Sequence, residues 1–304
     1  MNRPIWPVLM LIVCLFAGVE RSRGAELFDT TTPYHHIRVV EDGHMRTLCF
    51  DDATQTRLSM DDPLKGHFEY TEYFHMAWLW NTNIQKVLMV GLGGGSAQRS
   101  FVHYYPAMTV ETVEIDPAVE RVAREYFSFT ESDRQQVHIA DGRMFLRRST
   151  AKYDLVILDA YVHGRYGSSI PQHLVTREFF EMVRDHLNPN GLVAYNVIGS
   201  TTGWHADIVG AIYRTLKTTF SQVYVFPAHS SQNVVLIATR TAGRADLNTL
   251  RQRAATFVKT QKPALPTFRE RLESLYLSPP ANADRSPVLT DDYAPVEGLT
   301  GAGG

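Results

Sequence analysis

A buried strand that runs directly into a glycine-rich turn is the feature that most limits what this chain can fold into. Residues 87–90 read Val-Leu-Met-Val, and Gly91, Gly93 and Gly95 follow before Ser96 opens a helical stretch. Glycine accepts positive φ angles and lets the backbone approach a ligand closely, so the arrangement is typical of the first unit of a nucleotide-binding α/β fold. Such turns also occur merely to reverse the chain, so a second signal is needed.

Carboxylates at the ends of successive predicted strands supply that second signal. Glu114 ends the strand after the glycine turn, Asp141 follows the third strand, and Asp159 closes the fourth. Open α/β sheets bind ligands at the carboxyl ends of their strands. An acid in the position of Glu114 is placed to accept hydrogen bonds from both ribose hydroxyls. We expect Asp141 near an adenine amino group. Helix N-capping is the competing interpretation for each acid, and it weighs most for Asp141.

The spacing of the glycines separates two classes of nucleotide. A nicotinamide dinucleotide fingerprint, G-x-G-x-x-G, would place glycine or alanine at Ser96, whereas the spacing here is G-x-G-x-G. Downstream residues alternate apolar strands with amphipathic helices, which indicates a mostly parallel sheet with helices on both faces. The sequence therefore predicts an α/β, Rossmann-like fold over residues ~85–240 that binds a nucleoside other than a nicotinamide dinucleotide.

Regions on either side of this core complete the predicted organisation. Residues 34–60 alternate apolar and polar side chains in short runs, which predicts a small β-hairpin unit serving as a lid or a dimer-forming appendage. Residues 68–80 carry aromatic side chains at helical spacing, which predicts a core-packing helix. The segment 289–292 is interpreted as a solvated turn. We expect four regions in chain order: a leader at residues 1–24, an N-terminal β domain at 25–66, a catalytic Rossmann-like domain at 67–240, and a C-terminal helix and tail at 241–304.

The first 24 residues predict export. Arg3 precedes an apolar run from Ile5 to Val19, and polar residues ending at Gly24 follow it. The run is shorter than the ~20 residues that cross a bilayer comfortably, which favours a cleaved signal peptide over a membrane anchor. We therefore expect a periplasmic or extracellular protein, or one tethered to a membrane through this segment.

The net charge and the spacing of the histidines indicate whether nucleic acid or a metal ion is an expected partner. The formal net charge is −2, so no general electrostatic attraction for nucleic acid is expected. Four histidines could suggest a metal site, but neither the H-x-x-x-H nor the H-E-x-x-H spacing supports one, and scattered histidines are more often surface or capping residues, so no metal is expected; they are His35, His36, His163 and His173.

In these motifs the chain resembles the spermidine synthase family, and in particular its spermidine synthase-like branch. The resemblance covers roughly residues 33–239 and rests on residues 61–63, 68–71, 90–96, 113–117, 140–143, 158–161 and 173–179. It implies an N-terminal β-hairpin domain on a methyltransferase-like fold that is frequently dimeric. It also implies a transferase in which an amine attacks the carbon beside a sulfonium. The donor, decarboxylated S-adenosylmethionine, is a co-substrate rather than a tightly bound cofactor, and methylthioadenosine leaves.

The resemblance also implies roles for individual residues. Asp159 matches the catalytic aspartate, which attracts the attacking ammonium group and takes its proton as attack begins. Tyr70 matches an active-site tyrosine that orients or relays that proton, and aromatic packing is the competing interpretation for it. The glycine loop and Glu114 would hold the nucleoside, with Asp141 near its adenine ring.

Three positions depart from the family pattern. The aspartate that holds the donor's amine is replaced by Gly94, the histidine after the tyrosine by Thr71, and the second acceptor-binding aspartate by Val162. Arg165 follows, and a cation there would repel a dicationic acceptor. The nucleoside half of the site is thus retained, while the polyamine half is largely absent.

Two alternatives to aminopropyl transfer therefore stay open. Intact S-adenosylmethionine could serve in methyl transfer, or the sulfonium compound could cyclise and release methylthioadenosine without any acceptor. An exported, non-catalytic nucleoside-binding domain is the alternative from a different class, because sulfonium metabolites are made in the cytosol.

Overall fold

The computed structural model describes residues 24–51, 53–164, 167–203 and 206–300. Apart from Gly24, the predicted export leader lies outside these ranges, as does Arg165. Within the described ranges, no helix combines the length and the apolar character needed to cross a bilayer.

A four-stranded antiparallel sheet forms the N-terminal part of the described chain. Its strands lie side by side in chain order: β1 (Ala25–Thr31), β2 (His36–Asp42), β3 (Met45–Phe50) and β4 (Ala53–Ser59). Alternate side chains such as Ile37, Val39 and Leu48 are fully buried on one face, as the period of two in their sequence predicts. The predicted β unit is confirmed, and the structure adds β1 in front of it.

The aromatic segment predicted as one helix over residues 68–80 folds as two short helices. A four-residue α-helix, α1 (Tyr70–Tyr73), continues into a 3₁₀ helix, Phe74–Leu79. All six residues of the 3₁₀ helix are buried, so the prediction that this segment packs into the core is correct.

A seven-stranded sheet forms the centre of the molecule. Its members, in chain order, are β5 (Lys86–Val90), β6 (Thr109–Glu114), β7 (Gln135–Ile139), β8 (Tyr153–Leu158), β11 (Leu187–Ile198), β12 (Gln222–Pro227) and β13 (Asn233–Thr239). The spatial order is β12-β13-β11-β8-β5-β6-β7, with β13 antiparallel to both neighbours and every other pair parallel. Two short strands, β9 (Val162–Gly164) and β10 (Gly167–Ser169), pair with each other outside this sheet.

Helices cover both faces of the central sheet, as predicted. They are α2 (Ser96–Tyr104), α3 (Pro117–Tyr126), α4 (Gly142–Arg148), α5 (Arg177–Asp185), α6 (Ala206–Thr219), α7 (Leu247–Thr260), α8 (Phe268–Glu273) and α9 (Val296–Leu299), with a 3₁₀ turn at Gln172–Leu174. Val87 and Met89 on one face pack with α2 and α7, whereas Leu88 and Val90 on the other pack with α4, α5 and α6. Strands buried on both faces read as continuous apolar runs, which is why residues 87–90 show no alternation.

The segment predicted as a solvated turn, residues 289–292, does contain a turn: Thr290 and Tyr293 pair through their backbones, and Asp291 and Asp292 between them are exposed. Leu289 is fully buried in the core between the sheet and its helices. Asp291 accepts two hydrogen bonds from the guanidinium of Arg143, at 2.7 and 2.6 Å, and one from the Thr176 hydroxyl at 2.7 Å. The prediction of a turn is therefore correct for Asp291 and Asp292, whereas the burial of Leu289 was not predicted because its apolar partners lie far away in sequence.

Candidate active site

A crevice of about 1000 Å³, including its open mouth, lies at the carboxyl ends of β5, β6 and β8. This is the edge at which open α/β sheets bind ligands. Most of the residues predicted to form the site line it, namely Tyr70, Gly91, Gly93, Glu114, Asp141 and Asp159. Gly95 shapes the loop but is not among the residues of the wall.

The glycine loop has the backbone that the sequence predicts. Gly91, Gly93 and Gly95 have φ angles of 103°, 53° and 71°, which side chains on an L-residue disfavour. A Cβ atom on Gly91 would lie 2.2 Å from the carbonyl oxygen of Asp159. Glycine is therefore required for the end of β5 to pass close to the end of β8, and this contact fixes the loop relative to Asp159.

Gly94 is enclosed by side chains from two other parts of the fold. Its backbone N–H donates to the Thr56 hydroxyl at 2.9 Å. A Cβ atom at this position would lie 2.6 Å from the Thr56 methyl carbon and 3.0 Å from the Phe127 ring. The departure from the family pattern is thus built into the packing, because an aspartate here would need both neighbours to move.

Glu114 lies at the end of β6 with its carboxylate on the crevice wall. One oxygen accepts the backbone N–H of Leu92 and the other accepts that of Asp116, both at 3.0 Å. Burial raises the pKa of Glu114, and these backbone hydrogen bonds offset part of the rise. Each carboxylate oxygen has a second lone pair, so the Glu114 carboxylate can still accept hydrogen bonds from ribose hydroxyls.

Asp141 is the N-cap of α4, which is the competing interpretation that the sequence offered. One oxygen accepts the backbone N–H of Met144 and the other contacts Nε2 of His173, both at 2.8 Å. The side chain also lines the crevice, with His173 beside it. Capping does not exclude a ligand contact, so its role near adenine stays a prediction.

Asp159 and Tyr70 meet in the crevice, as the resemblance implies. The Tyr70 hydroxyl donates to one oxygen of Asp159 at 3.2 Å, and the amide of Asn196 donates to the other at 2.8 Å. Burial raises the pKa of Asp159 to about 6, although the hydrogen bonds from Asn196 and Tyr70 act in the opposite direction. A carboxyl group with such a pKa is a plausible proton acceptor near neutral pH.

Asn196 is a site residue that the sequence did not single out. Its carbonyl oxygen accepts from the side-chain amide of Asn233 at 3.1 Å, which fixes the orientation of the amide that holds Asp159. The available signal was a polar residue within the apolar run 192–198 of strand β11, and the structure shows that it is only 1% exposed. His35, Phe50 and Thr56 were also missed; they reach the crevice from the N-terminal sheet.

None of the described residues forms a cluster of three or more histidine, cysteine or acidic side chains suited to hold a metal ion. The carboxylates that line the crevice are instead single residues at strand ends, Glu114, Asp141 and Asp159. Each of them already has protein donors, as described above.

Comparison with known proteins identifies relatives of two kinds. The polyamine aminopropyltransferase of Vibrio vulnificus (strain CMCP6) is 28% identical over 96% of this chain and 97% of its own length. The human eEF1A lysine and N-terminal methyltransferase is 32% identical, but over only 49% of this chain and 22% of that protein. The spermidine synthase structure from Thermotoga maritima matches with a TM-score of 0.59 at 21% identity, covering 82% of this chain and 87% of that one, which supports the fold.

A family model described as the spermine/spermidine synthase domain matches residues 67–241, more than half of the chain. That range contains the glycine loop, Glu114, Asp141, Asp159 and Tyr70. The chain belongs to the spermine/spermidine synthase domain family.

Proposed function

We propose that this protein is an aminopropyltransferase whose donor is decarboxylated S-adenosylmethionine. An amine attacks the carbon next to the sulfonium, the carbon–sulfur bond breaks, and methylthioadenosine leaves with the electron pair on sulfur. The observation that carries the proposal is the buried Asp159 carboxyl group, held by Tyr70 and Asn196 in the same crevice as the ribose-binding candidate Glu114.

The chemistry asks for alignment and a neutral nucleophile, because the sulfonium is already a good leaving group. An alkylammonium with a pKa near 10 loses its proton at neutral pH at a cost of roughly 4 kcal/mol. Asp159, with a pKa of about 6, is a weaker base than the amine. The nucleophile is therefore the fraction of the amine that is neutral, and the carboxylate accepts a proton from the nitrogen as the new carbon–nitrogen bond gives that nitrogen a positive charge.

The ionised carboxylate also attracts the ammonium group into place. The Tyr70 hydroxyl orients the oxygen that faces it, and burial of Tyr70 together with the nearby Asp159 raises the pKa of its phenol well above the usual value. Tyr70 therefore remains a hydrogen-bond donor rather than a base. Asn196 holds the second oxygen, so that both oxygens are fixed in direction and each keeps a lone pair for the amine.

Product analysis tests the proposal directly. Purified protein is incubated with decarboxylated S-adenosylmethionine, with and without putrescine, spermidine and simple monoamines, and methylthioadenosine is quantified. The expected result is methylthioadenosine that forms only when an amine is present. Asp159→Asn should abolish it, whereas Asp133→Asn, which changes an exposed aspartate, should not. Methylthioadenosine release without any amine, or none with every amine, would contradict the proposal.

Gly94 favours a second candidate, in which intact S-adenosylmethionine is used for methyl transfer. An acid at this position would hold the amine of the decarboxylated donor, and Thr56 and Phe127 leave no space for one. The human relative named as a methyltransferase is consistent with this chemistry on the same kind of core. Accumulation of S-adenosylhomocysteine from S-adenosylmethionine would decide in its favour, and methylthioadenosine formed without an amine would indicate cyclisation instead.

We also propose that the protein is exported or tethered through residues 1–24, and that its partner is a small-molecule amine rather than nucleic acid. A homodimer remains part of the proposal. Fractionation of cells expressing the full chain, with N-terminal sequencing of the product, tests export and cleavage. Binding of either adenosyl compound with no turnover of any donor would instead support a non-catalytic nucleoside-binding domain.

A further inference from the structure

The helix that carries Tyr70 is too short to hold its own position. It spans four residues before the buried 3₁₀ helix Phe74–Leu79 continues it, and no side chain caps its N-terminus. An isolated helix of this length is unstable in water, because nucleation fixes several residues for few hydrogen bonds. The position of the Tyr70 hydroxyl, 3.2 Å from Asp159, must therefore be set by contacts that the helix makes with the rest of the protein.

Glu72, two residues after Tyr70, is held by the C-terminal part of the chain. One carboxylate oxygen accepts from Nε of Arg271 at 2.6 Å and from the Thr267 hydroxyl at 2.7 Å, and the other contacts His67 Nε2 at 2.9 Å. Burial raises the pKa of Glu72, but these hydrogen bonds outweigh it and lower the pKa to about 2. The carboxylate therefore stays ionised, and its partners stay engaged, across the physiological pH range.

Glu69, directly before Tyr70, is held from the opposite direction. One oxygen accepts the backbone N–H groups of His229 and Ser230, at 3.0 and 2.9 Å, in the turn between β12 and β13. The other oxygen accepts the Tyr73 hydroxyl at 2.6 Å and lies 3.4 Å from Nη1 of Arg271. One guanidinium thus contacts the acids on both sides of Tyr70.

The charges in this group are largely withdrawn from solvent. The side chains of Arg271, Glu72 and Glu69 are only 14%, 12% and 9% exposed. A buried ion pair adds little net stability over well-packed apolar groups, because desolvation opposes the attraction, but breaking one side of it is strongly unfavourable. What the arrangement provides is one defined geometry, since the planar guanidinium donates from Nε to Glu72 in a fixed direction while its Nη1 pairs with Glu69.

We infer that Arg271 is a positioning residue for the reaction, acting through the short helix that carries Tyr70. Arg271 lies on α8, beyond residues 67–241 that the family model matches, and Phe268 and Leu272 of α8 are buried in the core. The C-terminal helices therefore belong to the catalytic unit. The inference rests on the proposed function, because it assigns to Tyr70 a part in catalysis.

A double-mutant cycle with Tyr70→Phe tests this inference. Arg271→Gln should lower kcat by about 10- to 100-fold with KM nearly unchanged, because a displacement of about 1 Å misaligns a catalytic group. In the Tyr70→Phe background the same substitution should have almost no further effect. Arg271→Lys should recover part of the activity, since an ammonium can still pair with one acid. Arg251→Gln, which breaks an exposed pair with Glu273 on the neighbouring helices, is the matched control and should leave kcat unchanged.

A second readout does not depend on turnover. The pKa of Asp159, followed by NMR on protein labelled with ¹³C in its aspartate carboxyl groups, should rise in Tyr70→Phe and equally in Arg271→Gln, since both remove the same donor. If Arg271→Gln does not fold, Thr267→Val removes one donor to Glu72 and should shift the same signal in the same direction.

Additive losses in the cycle, or an unchanged Asp159 titration in folded Arg271→Gln, would overturn the inference. If instead the wild-type protein converts no donor with any amine while the titration shifts as expected, the proposed function fails and the positioning of Tyr70 stands.

Discussion

Replacing Asp159 by asparagine should stabilise the folded protein while it abolishes turnover. Burial raises the pKa of this carboxyl group from 3.8 to about 6. A difference of about 2 pH units corresponds to about 3 kcal/mol of folding free energy once the group is ionised. This value is an upper limit, because the side chain borders the open crevice, where solvent screens part of the charge. Asparagine retains an oxygen for Asn196 and places an amide N–H beside the Tyr70 oxygen.

The stabilisation should depend on pH in a defined direction. Because the pKa in the folded state lies above the unfolded value of 3.8, the folded protein binds the proton more tightly between about pH 4 and pH 6. The wild-type protein therefore has this stability below pH ~4 and loses it as the pH rises through about 6. The uncharged Asp159→Asn variant does not lose it, so its advantage should be near zero at low pH and full at pH 8.

Urea unfolding followed by tryptophan fluorescence measures this difference. The wild-type protein, Asp159→Asn and the control Asp133→Asn are compared at pH 4.5 and pH 8. For Asp159→Asn only, the free-energy difference should be about 1 kcal/mol at pH 4.5 and approach about 3 kcal/mol at pH 8. An equal difference at both pH values, or a variant less stable than the wild type at pH 8, would refute the reasoning.

Four other substitutions have expected outcomes. Tyr70→Phe should lower kcat about 100-fold with little change in KM, measured by methylthioadenosine release, because Asp159 loses its orienting hydroxyl; an unchanged kcat would mean that the ring serves only for packing. Asn196→Leu should move the acid limb of the pH profile of kcat/KM upward by about one unit, since a charge-assisted hydrogen bond to the carboxylate is lost; a downward shift would contradict this account. Glu114→Gln should weaken binding of S-adenosylmethionine or methylthioadenosine about tenfold by calorimetry, and equal affinity would remove Glu114 from the site. Gly94→Ala should destabilise the protein by about 1–3 kcal/mol, because its methyl group would contact the Thr56 methyl group. In thermal unfolding, Thr56→Ser should restore part of the lost stability, and a Gly94→Ala variant as stable as the wild type would show that the loop can shift.

Local patterns in the sequence predict the central elements of this fold well. The strand at residues 87–90 lies within β5, Glu114 is the last residue of β6, and the glycines have the positive φ angles that their spacing implies. Asp141 illustrates the limit, because capping and ligand binding leave the same local signature of an acid before a helix. In the structure Asp141 caps the helix α4, and its side chain also lines the crevice.

The remaining parts of the site depend on long-range pairing that no local pattern encodes. Asn196 reaches Asp159 because β11 pairs in parallel with β8, with Tyr195 opposite Leu158. Arg271 reaches Glu72 across 199 positions of the chain. The sequence also shows that Gly94 replaces an acid, but only the structure shows that Thr56 and Phe127 occupy the space around it.

The attachment of the N-terminal sheet to the glycine loop has a consequence for how a ligand enters. Moving this sheet away would break the hydrogen bond from Gly94 to Thr56 and the one from Thr32 to Asp116. It would also break the hydrogen bond from Arg46 to the Tyr126 carbonyl and expose the Phe127 ring. Because all of these contacts would be lost together, we expect the sheet to stay fixed over the glycine loop rather than to open. On the proposed function we therefore expect ligands to enter and leave at the side of this sheet, and joining the two sheets covalently should leave the rate of ligand association unchanged.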